Sequence, residues 1–469
     1  MIGVGLDFGT SNSAAAWYDG DRVHMVPLEE DGPIMPTATH LDRELVTLTG
    51  EAAVRQYIDD NRDRIVELTP EVIAKTSMVT SEANPDDPHS QAETATQNVY
   101  GQPLVDRGMP GRLFRGVKRL LGNSSVKRLM VFDHPFRLVA LITPVLLRIR
   151  RAIEKCLSEP LSDIHFGHPV LFEGKEAQRN SLAFERLSEA CSYAGINQLS
   201  FYPEPVAATL SYRHDEQSPA SGCVLTVDFG GGTLDLSVVE YEGATFDVLA
   251  TTGLPLGGDH IDQLIFKDLL FPEFGKGEMW SRVKDGYLIE NEFPFEEYED
   301  KLLNWAVTYI LNQNEYRSMI VDRIRQGGEG KEKFERLLDL ITHNYSYLVF
   351  QAIKEAKAAL SSVEETIIDI PELDLALPFS RDQLESIMSG MLSEMQDVVA
   401  RVLDLANRTT DDVDIVIRTG GSSQIAAVKR MLEAQFPEKV VEHDPFASVA
   451  AGLAIASYHG YQVEEQHVS

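Results

Sequence analysis

The sequence predicts an α/β protein built as two duplicated lobes around one ligand cleft, and three observations carry that prediction. Short β-branched runs alternate with amphipathic segments of helical spacing along the chain. One motif occurs twice: Val4-Gly5-Leu6-Asp7-Phe8-Gly9-Thr10 returns as Leu225-Thr226-Val227-Asp228-Phe229-Gly230-Gly231-Gly232-Thr233. Asp228 follows Asp7 by 221 residues, close to half of the 469 in the chain, as a duplicated domain requires.

The elements follow in order. Ile2 to Leu6 reads as an apolar strand, with Ala14 to Tyr18 as its hairpin partner. Val224 to Val227 and Leu236 to Val239 repeat that pair in the second half. Val413 to Arg418 forms a third strand that runs into Gly420-Gly421 and a helix from Ile425 to Phe436. Pro144 to Leu157, Lys175 to Ala194, Lys331 to Leu360 and Arg381 to Ala406 carry apolar residues at helical spacing. Ser77 to Gly111, rich in Asp, Pro, Ser and Gln, reads as an exposed loop or insertion. Leu270 to Asp300 is acidic and aromatic and reads as subdomain decoration with a solvated acidic face.

Composition narrows the function classes. Lys and Arg number 42 against 73 Asp and Glu, a net charge of −31, which repels phosphate backbones and anionic lipid. Nucleic acid and membranes are therefore not expected partners. Cys156, Cys191 and Cys223 are too scattered for a ligand-spaced pair, so a reduced thiol state is expected, without disulfide or zinc. No basic, apolar leader opens the sequence, and Leu138 to Leu147 is too short to span a bilayer. A cytoplasmic setting is expected.

The repeated turn has the chemistry of a phosphate loop. Its glycines let backbone N–H groups approach phosphate oxygens, and Thr10, Ser11 and Asn12 add short donors. Asp7 stands at the strand end, where a carboxylate can hold Mg²⁺ largely through water. A second copy at Asp228 to Thr233 would clamp the opposite side of the same phosphates. One such turn alone reads as a plain β-hairpin; two copies at half-chain spacing favour phosphate. The Asp-Phe-Gly triplet is not a protein-kinase signature here, because no His-Arg-Asp loop or Val-Ala-Ile-Lys strand accompanies it. No Walker A loop occurs.

Gly5 to Ser13 and Asp228 to Asp235 resemble the two phosphate loops of the Hsp70 chaperones. Further segments match in the family's order. Phe114 to Gly122 resembles the segment with the phosphate-contacting lysine, here Lys118, and Pro203 to Ala208 the connecting Glu-Pro-x-Ala-Ala element. Leu256-Gly257-Gly258-Asp259 resembles the turn that opens the upper part of the second lobe. Lys354 to Ser362 resembles the adenine-covering helix, while Thr419 to Ser423 and Asp444 to Gly452 resemble the adenosine motif and final helix. Nearly the whole chain is covered, and short bacterial Hsp70-like proteins of the YegD type share this plan.

The resemblance implies an actin-like ATPase (ribonuclease H-like) fold, each lobe with a larger inner and a smaller outer subdomain. Lobe I is expected at 1–220 with its outer part near 28–134, and lobe II at 221–469 with its outer part near 256–380. It implies ATP or ADP with Mg²⁺, and admits K⁺. Asp7 and Asp228 would organise the Mg²⁺ shell and attacking water, Lys118 would stabilise the γ-phosphate, and Glu204 would position water or metal. Thr233 joins this catalytic set. Gly9, Thr10, Ser11, Asn12, Gly230, Gly231, Gly232 and Thr233 would hold phosphates. Gly257, Gly258, Asp259, Lys354, Lys357, Ser361, Gly420, Gly421, Ser422 and Gln424 complete the implied nucleotide contacts. An exchange-factor-like or co-chaperone protein is the implied partner, and the chain is expected as a monomer. Taken alone, Lys118 is a surface lysine in a basic run and Glu204 a helix-terminal charge.

Departures from the family pattern temper this reading. Ala358 stands where the family places the arginine that stacks on the base, Gln424 where it has another arginine, and Phe446 where it has Asp. Losing planar cations implies weaker base affinity or altered nucleotide release. Only His459 to Ser469 follow the last matched helix, so no peptide-binding domain is expected in this chain. Two alternatives stay open: a small-molecule phosphotransferase of the same superfold, and a polymer-forming or non-hydrolysing nucleotide-gated scaffold.

Overall fold

The computed structural model describes residues 2–70, 104–106, 108–132, 134–158, 161, 163–173, 178–216, 219–284, 287–444 and 447–461. Most of the 77–111 insertion, Phe446 and the end of the tail lie outside the described residues.

Each lobe is organised by one mixed sheet. Gly3–Phe8 pairs antiparallel with Asn12–Tyr18 and parallel with Ile164–His168, which pairs parallel with Leu199–Pro203. Val23–Met25 closes the other edge. In the second lobe, Ser221–Phe229 pairs antiparallel with Leu234–Glu242 and parallel with Ile415–Thr419, flanked by Thr245–Leu254 and Val440–Glu442. The strand order and directions are the same in both. Gly3–Phe8 and Ser221–Phe229 are buried on both faces, which is why they read as continuous apolar runs.

Two helices cross between the sheets. Ser448–His459 lies against Gly3–Phe8 and against Glu204–Glu216, and apolar residues of both lobes close around them as one cluster. Small residues permit this approach. A Cβ on Gly5 would fall on the Ala450 carbonyl, and one on Gly452 would fall on the Ala207 carbonyl.

Three sequence expectations need correction. The helix expected from Pro144 begins at Leu138 and carries Pro144 within it. Thr143 Oγ1 donates to the Val139 carbonyl at 2.8 Å, and burial of Leu138, Leu141 and Ile142 outweighs the proline's missing donor. The segment Lys331 to Leu360 is two helices, Lys331–Thr342 and Ser346–Ala359, because Asn344 turns left-handed between them (φ 55°). The acidic-aromatic segment is only half a solvated face. Glu290 and Glu292 are exposed, but Phe271, Phe274, Phe293, Phe295 and Tyr298 are buried together beside Phe334. By contrast, Arg381–Ala406 has the expected bounds, fixed by a Ser380/Gln383 capping box and a left-handed Asn407.

The outer parts of the lobes meet above the cleft. The Tyr57 hydroxyl donates to the Ala306 carbonyl, and the Tyr57 ring lies 6.3 Å from both Trp305 and Tyr309. Val66 N donates to the Asn312 carbonyl at 2.8 Å, and Asn312 Nδ2 to the Arg64 carbonyl at 2.9 Å. Among the described residues, no helix is long and apolar enough to cross a membrane.

Candidate nucleotide site

A cavity of about 520 Å³ opens between the lobes, lined by both copies of the repeated turn. Gly9 must lack a side chain, because a Cβ would fall on the Asn12 carbonyl within its own tight turn. In the second turn Gly230 N donates to the Thr233 carbonyl at 3.0 Å. The turns face each other closely: a Cβ on Gly231 would lie 3.0 Å from Ser11 Oγ, and one on Gly232 3.7 Å from the Thr10 methyl.

Two further segments are hung on the second turn, and a third is tied to the first of these. Gly258 N donates to the Gly230 carbonyl at 3.0 Å and Asp259 N to the Gly231 carbonyl at 2.8 Å, docking the start of helix Gly258–Ile265. Ser422 Oγ donates to the Gly230 carbonyl at 3.1 Å, tying in the Thr419–Gln424 loop. Gly420 in that loop has φ 77°, and a Cβ there would strike the Phe229 carbonyl. From helix Ser346–Ala359, Lys357 Nζ donates to Asp262 Oδ1 at 2.5 Å and to the Gly258 carbonyl at 3.0 Å.

At the floor, Lys118 Nζ donates to Glu204 Oε1 at 2.8 Å, both largely buried. Burial works against the Lys118 ammonium, but the Glu204, Asp7 and Asp228 carboxylates outweigh it and raise its pKa. Burial, then Glu204, pushes Asp7 up to about 7, with Lys118 pulling the other way. Asp228 is pushed up to about 8 by burial and by Asp235, Glu204 and Asp7. Burial likewise raises Asp235 to about 6, although Thr233 Oγ1 donates to its Oδ2 at 2.8 Å. Asp228 and Asp235 sit directly opposite on paired antiparallel strands, an arrangement of like charges that costs stability.

Of the catalytic and nucleotide-contact residues expected from sequence, all but Gly257 line this cavity; Gly257 is pressed on the Gly231 carbonyl. Ala358 and Gln424 line it too, and Gln424 Nε2 donates to Glu442 Oε1 at 3.2 Å. Sequence reasoning passed over Asp235, Asp262, Arg115 and Glu173, which also line it. Asp235 was within reach, since the repeat's second copy ends on it. Asp262 lies three residues after Asp259, on the next turn of one helix, but nothing local marks its lysine partner.

Two lobes of one topology, each presenting a glycine turn to a shared polar cleft, define the actin-like ATPase fold. A family model described as Hsp70 protein matches residues 114–288 and 320–463, more than half of the chain. The chain belongs to the Hsp70 family. It is 24% identical over 478 residues to "Chaperone protein dnaK1" of Synechocystis sp. (strain ATCC 27184 / PCC 6803 / Kazusa), covering 98% of this chain and 55% of that protein. It is 22% identical over 467 residues to "Chaperone protein DnaK" of Nitrosopumilus maritimus (strain SCM1), covering 96% of this chain and 55% of that protein. The chain thus spans about half the length of these curated relatives.

Proposed function

We propose that the chain is an Hsp70-like module that binds ATP with Mg²⁺, hydrolyses it slowly, and changes its lobe closure and partner binding with nucleotide state. The observation that supports this most is the pair of opposed glycine turns over a floor of partly buried carboxylates and one buried lysine. Backbone N–H groups of Gly9 to Asn12 and Gly231 to Thr233 would take the phosphates from both sides, with Gly230 N closing the second turn on the Thr233 carbonyl.

Asp7 and Asp228 line the cleft beside the two glycine turns, and with no third carboxylate grouped with them as a direct ligand set among the described residues they suit a divalent cation that keeps most of its water. Mg²⁺, when bound largely through water by Asp7 and Asp228, would offset negative charge on the phosphate oxygens. Lys118, oriented by Glu204, meets the charge that develops on the γ-phosphate. Glu204 and Asp228 orient a water in line with the bond to be cleaved. The water oxygen bonds to phosphorus, the bridging oxygen leaves with ADP, and no covalent enzyme intermediate is required. Gly258, Asp259, Lys354, Lys357, Ser361 and the Gly420–Gln424 loop surround the nucleoside. Partners on this reading are ATP and a protein that resets or senses the nucleotide state, with the chain a cytoplasmic monomer.

Isothermal titration with Mg-ATP and Mg-ADP tests the reading. One saturable site for each nucleotide is expected, weakened when Gly231→Val crowds the second glycine turn against Ser11 of the first. Absence of heat with either nucleotide would contradict it.

A further inference from the structure

Among the described residues the cleft is lined by five cations, and the structure separates one from the rest. Lys118 is paired with Glu204 at 2.8 Å, Arg119 with Glu173 at 2.7 Å, Lys354 with Asp259 at 3.3 Å and Lys357 with Asp262 at 2.5 Å. Arg115, the fifth, has no carboxylate partner among the described residues, and its Nε is buried without a hydrogen bond. In a chain of net charge −31, whose cleft carboxylates outnumber its cations, such an unclaimed guanidinium is unusual.

Its position is equally specific. Arg115 ends strand Gly111–Arg115 in the first lobe, and its guanidinium lies 5.2 Å over the ring of Trp305 in the second. Trp305 in turn packs against Tyr57 and Tyr347 in the seam where the outer parts of the lobes meet. The next residue, Gly116, borders the first phosphate turn: a Cβ there would lie 3.9 Å from the Thr10 methyl. One side chain therefore stands between the phosphate turns and the interlobe seam.

We propose that Arg115 recognises the terminal phosphate of a bound nucleoside triphosphate and, by moving from the Trp305 ring to that phosphate, reports its presence to the seam between the lobes. The assignment rests on the nucleotide reading above. A guanidinium suits both roles, since its plane stacks on an indole and its fork of N–H donors fits phosphate oxygens. Lys118, held by Glu204, keeps its place at the bond to be cleaved, while Lys354 and Lys357 stay with Asp259 and Asp262 beside the nucleoside. A diphosphate leaves Arg115 on Trp305, so the residue discriminates between nucleotide states as well as adding affinity.

The test compares Mg-ADP with a Mg-bound, non-hydrolysed imido analogue of ATP by isothermal titration, together with tryptophan emission. Arg115→Ala should weaken the analogue roughly 10- to 100-fold, the scale of a lost charge-assisted hydrogen bond, and ADP by less than about twofold. In the unaltered chain the analogue, and not ADP, should change the emission, and Trp305→Phe should abolish that change while keeping the preference for the analogue. Equal loss for both ligands in Arg115→Ala, or emission that does not distinguish them in the unaltered chain, would overturn the assignment alone. Binding of neither ligand by the unaltered chain would overturn it together with the nucleotide reading.

Discussion

Single residues in this protein show what the fold spends on its interior. His165 is buried in the first sheet beside Tyr202, and among the described residues neither its Nδ1 nor the Tyr202 hydroxyl has a partner. Burial lowers the His165 pKa below its ordinary 6.5, against weaker raising by the Tyr461 carbonyl and Asp163. The unfolded chain therefore takes up this proton first as the pH falls. The stability His165 contributes should be complete above pH 6.5 and lost as the pH drops through its folded value. Thermal melts from pH 7.5 to 5 should show that loss in the natural chain and a shallower one in His165→Phe; parallel curves would contradict the sign. Legibility at this scale follows sequence distance. Asp7 and Asp228 could be found because strand, carboxylate and glycine turn are contiguous. Arg115 and Asp262 could not, because what distinguishes them is a Trp305 ring and a Lys357 ammonium far along the chain.

At the scale of elements, local chemistry and tertiary packing divide the outcome. Arg381–Ala406 could be bounded from sequence because its Ser380 cap and terminal Asn407 act locally. The early start of helix Leu138–Leu157 could not, since burial of its first turn against the lobe I core overrides Pro144. The final helix is a case of close approach rather than propensity. Its Gly452 sits directly on Ala207, and Gly5 of the central strand directly on its Ala450. Gly452→Val should therefore overpack the crossing helices and cost about 3 kcal/mol. Chemical denaturation should show a lowered midpoint with an unchanged slope; an unchanged midpoint would mean that the two helices can part without penalty.

The whole molecule is a duplicated frame carrying unequal additions. Duplication was legible from one motif spaced 221 residues apart, and it reappears as one strand order used twice. The seam above the cleft was not legible, because Tyr57, Trp305 and Tyr309 give no periodic signal and meet only once the lobes are assembled. That seam places apolar and aromatic contacts from both lobes over the cleft, so parting the outer subdomains exposes buried surface. On the proposed reading, opening and closing would carry a free-energy difference that a bound phosphate biases. We propose that the Lys118–Glu204 pair, set between the two glycine turns, serves phosphoryl transfer to water. The most direct measurement is single-turnover phosphate release from Mg-ATP by the natural chain and by Lys118→Ala. Slow release that falls roughly 100-fold or more in the variant, with nucleotide still bound, is the predicted result. Equal release from both, or ATP bound by the natural chain with none hydrolysed, would contradict it.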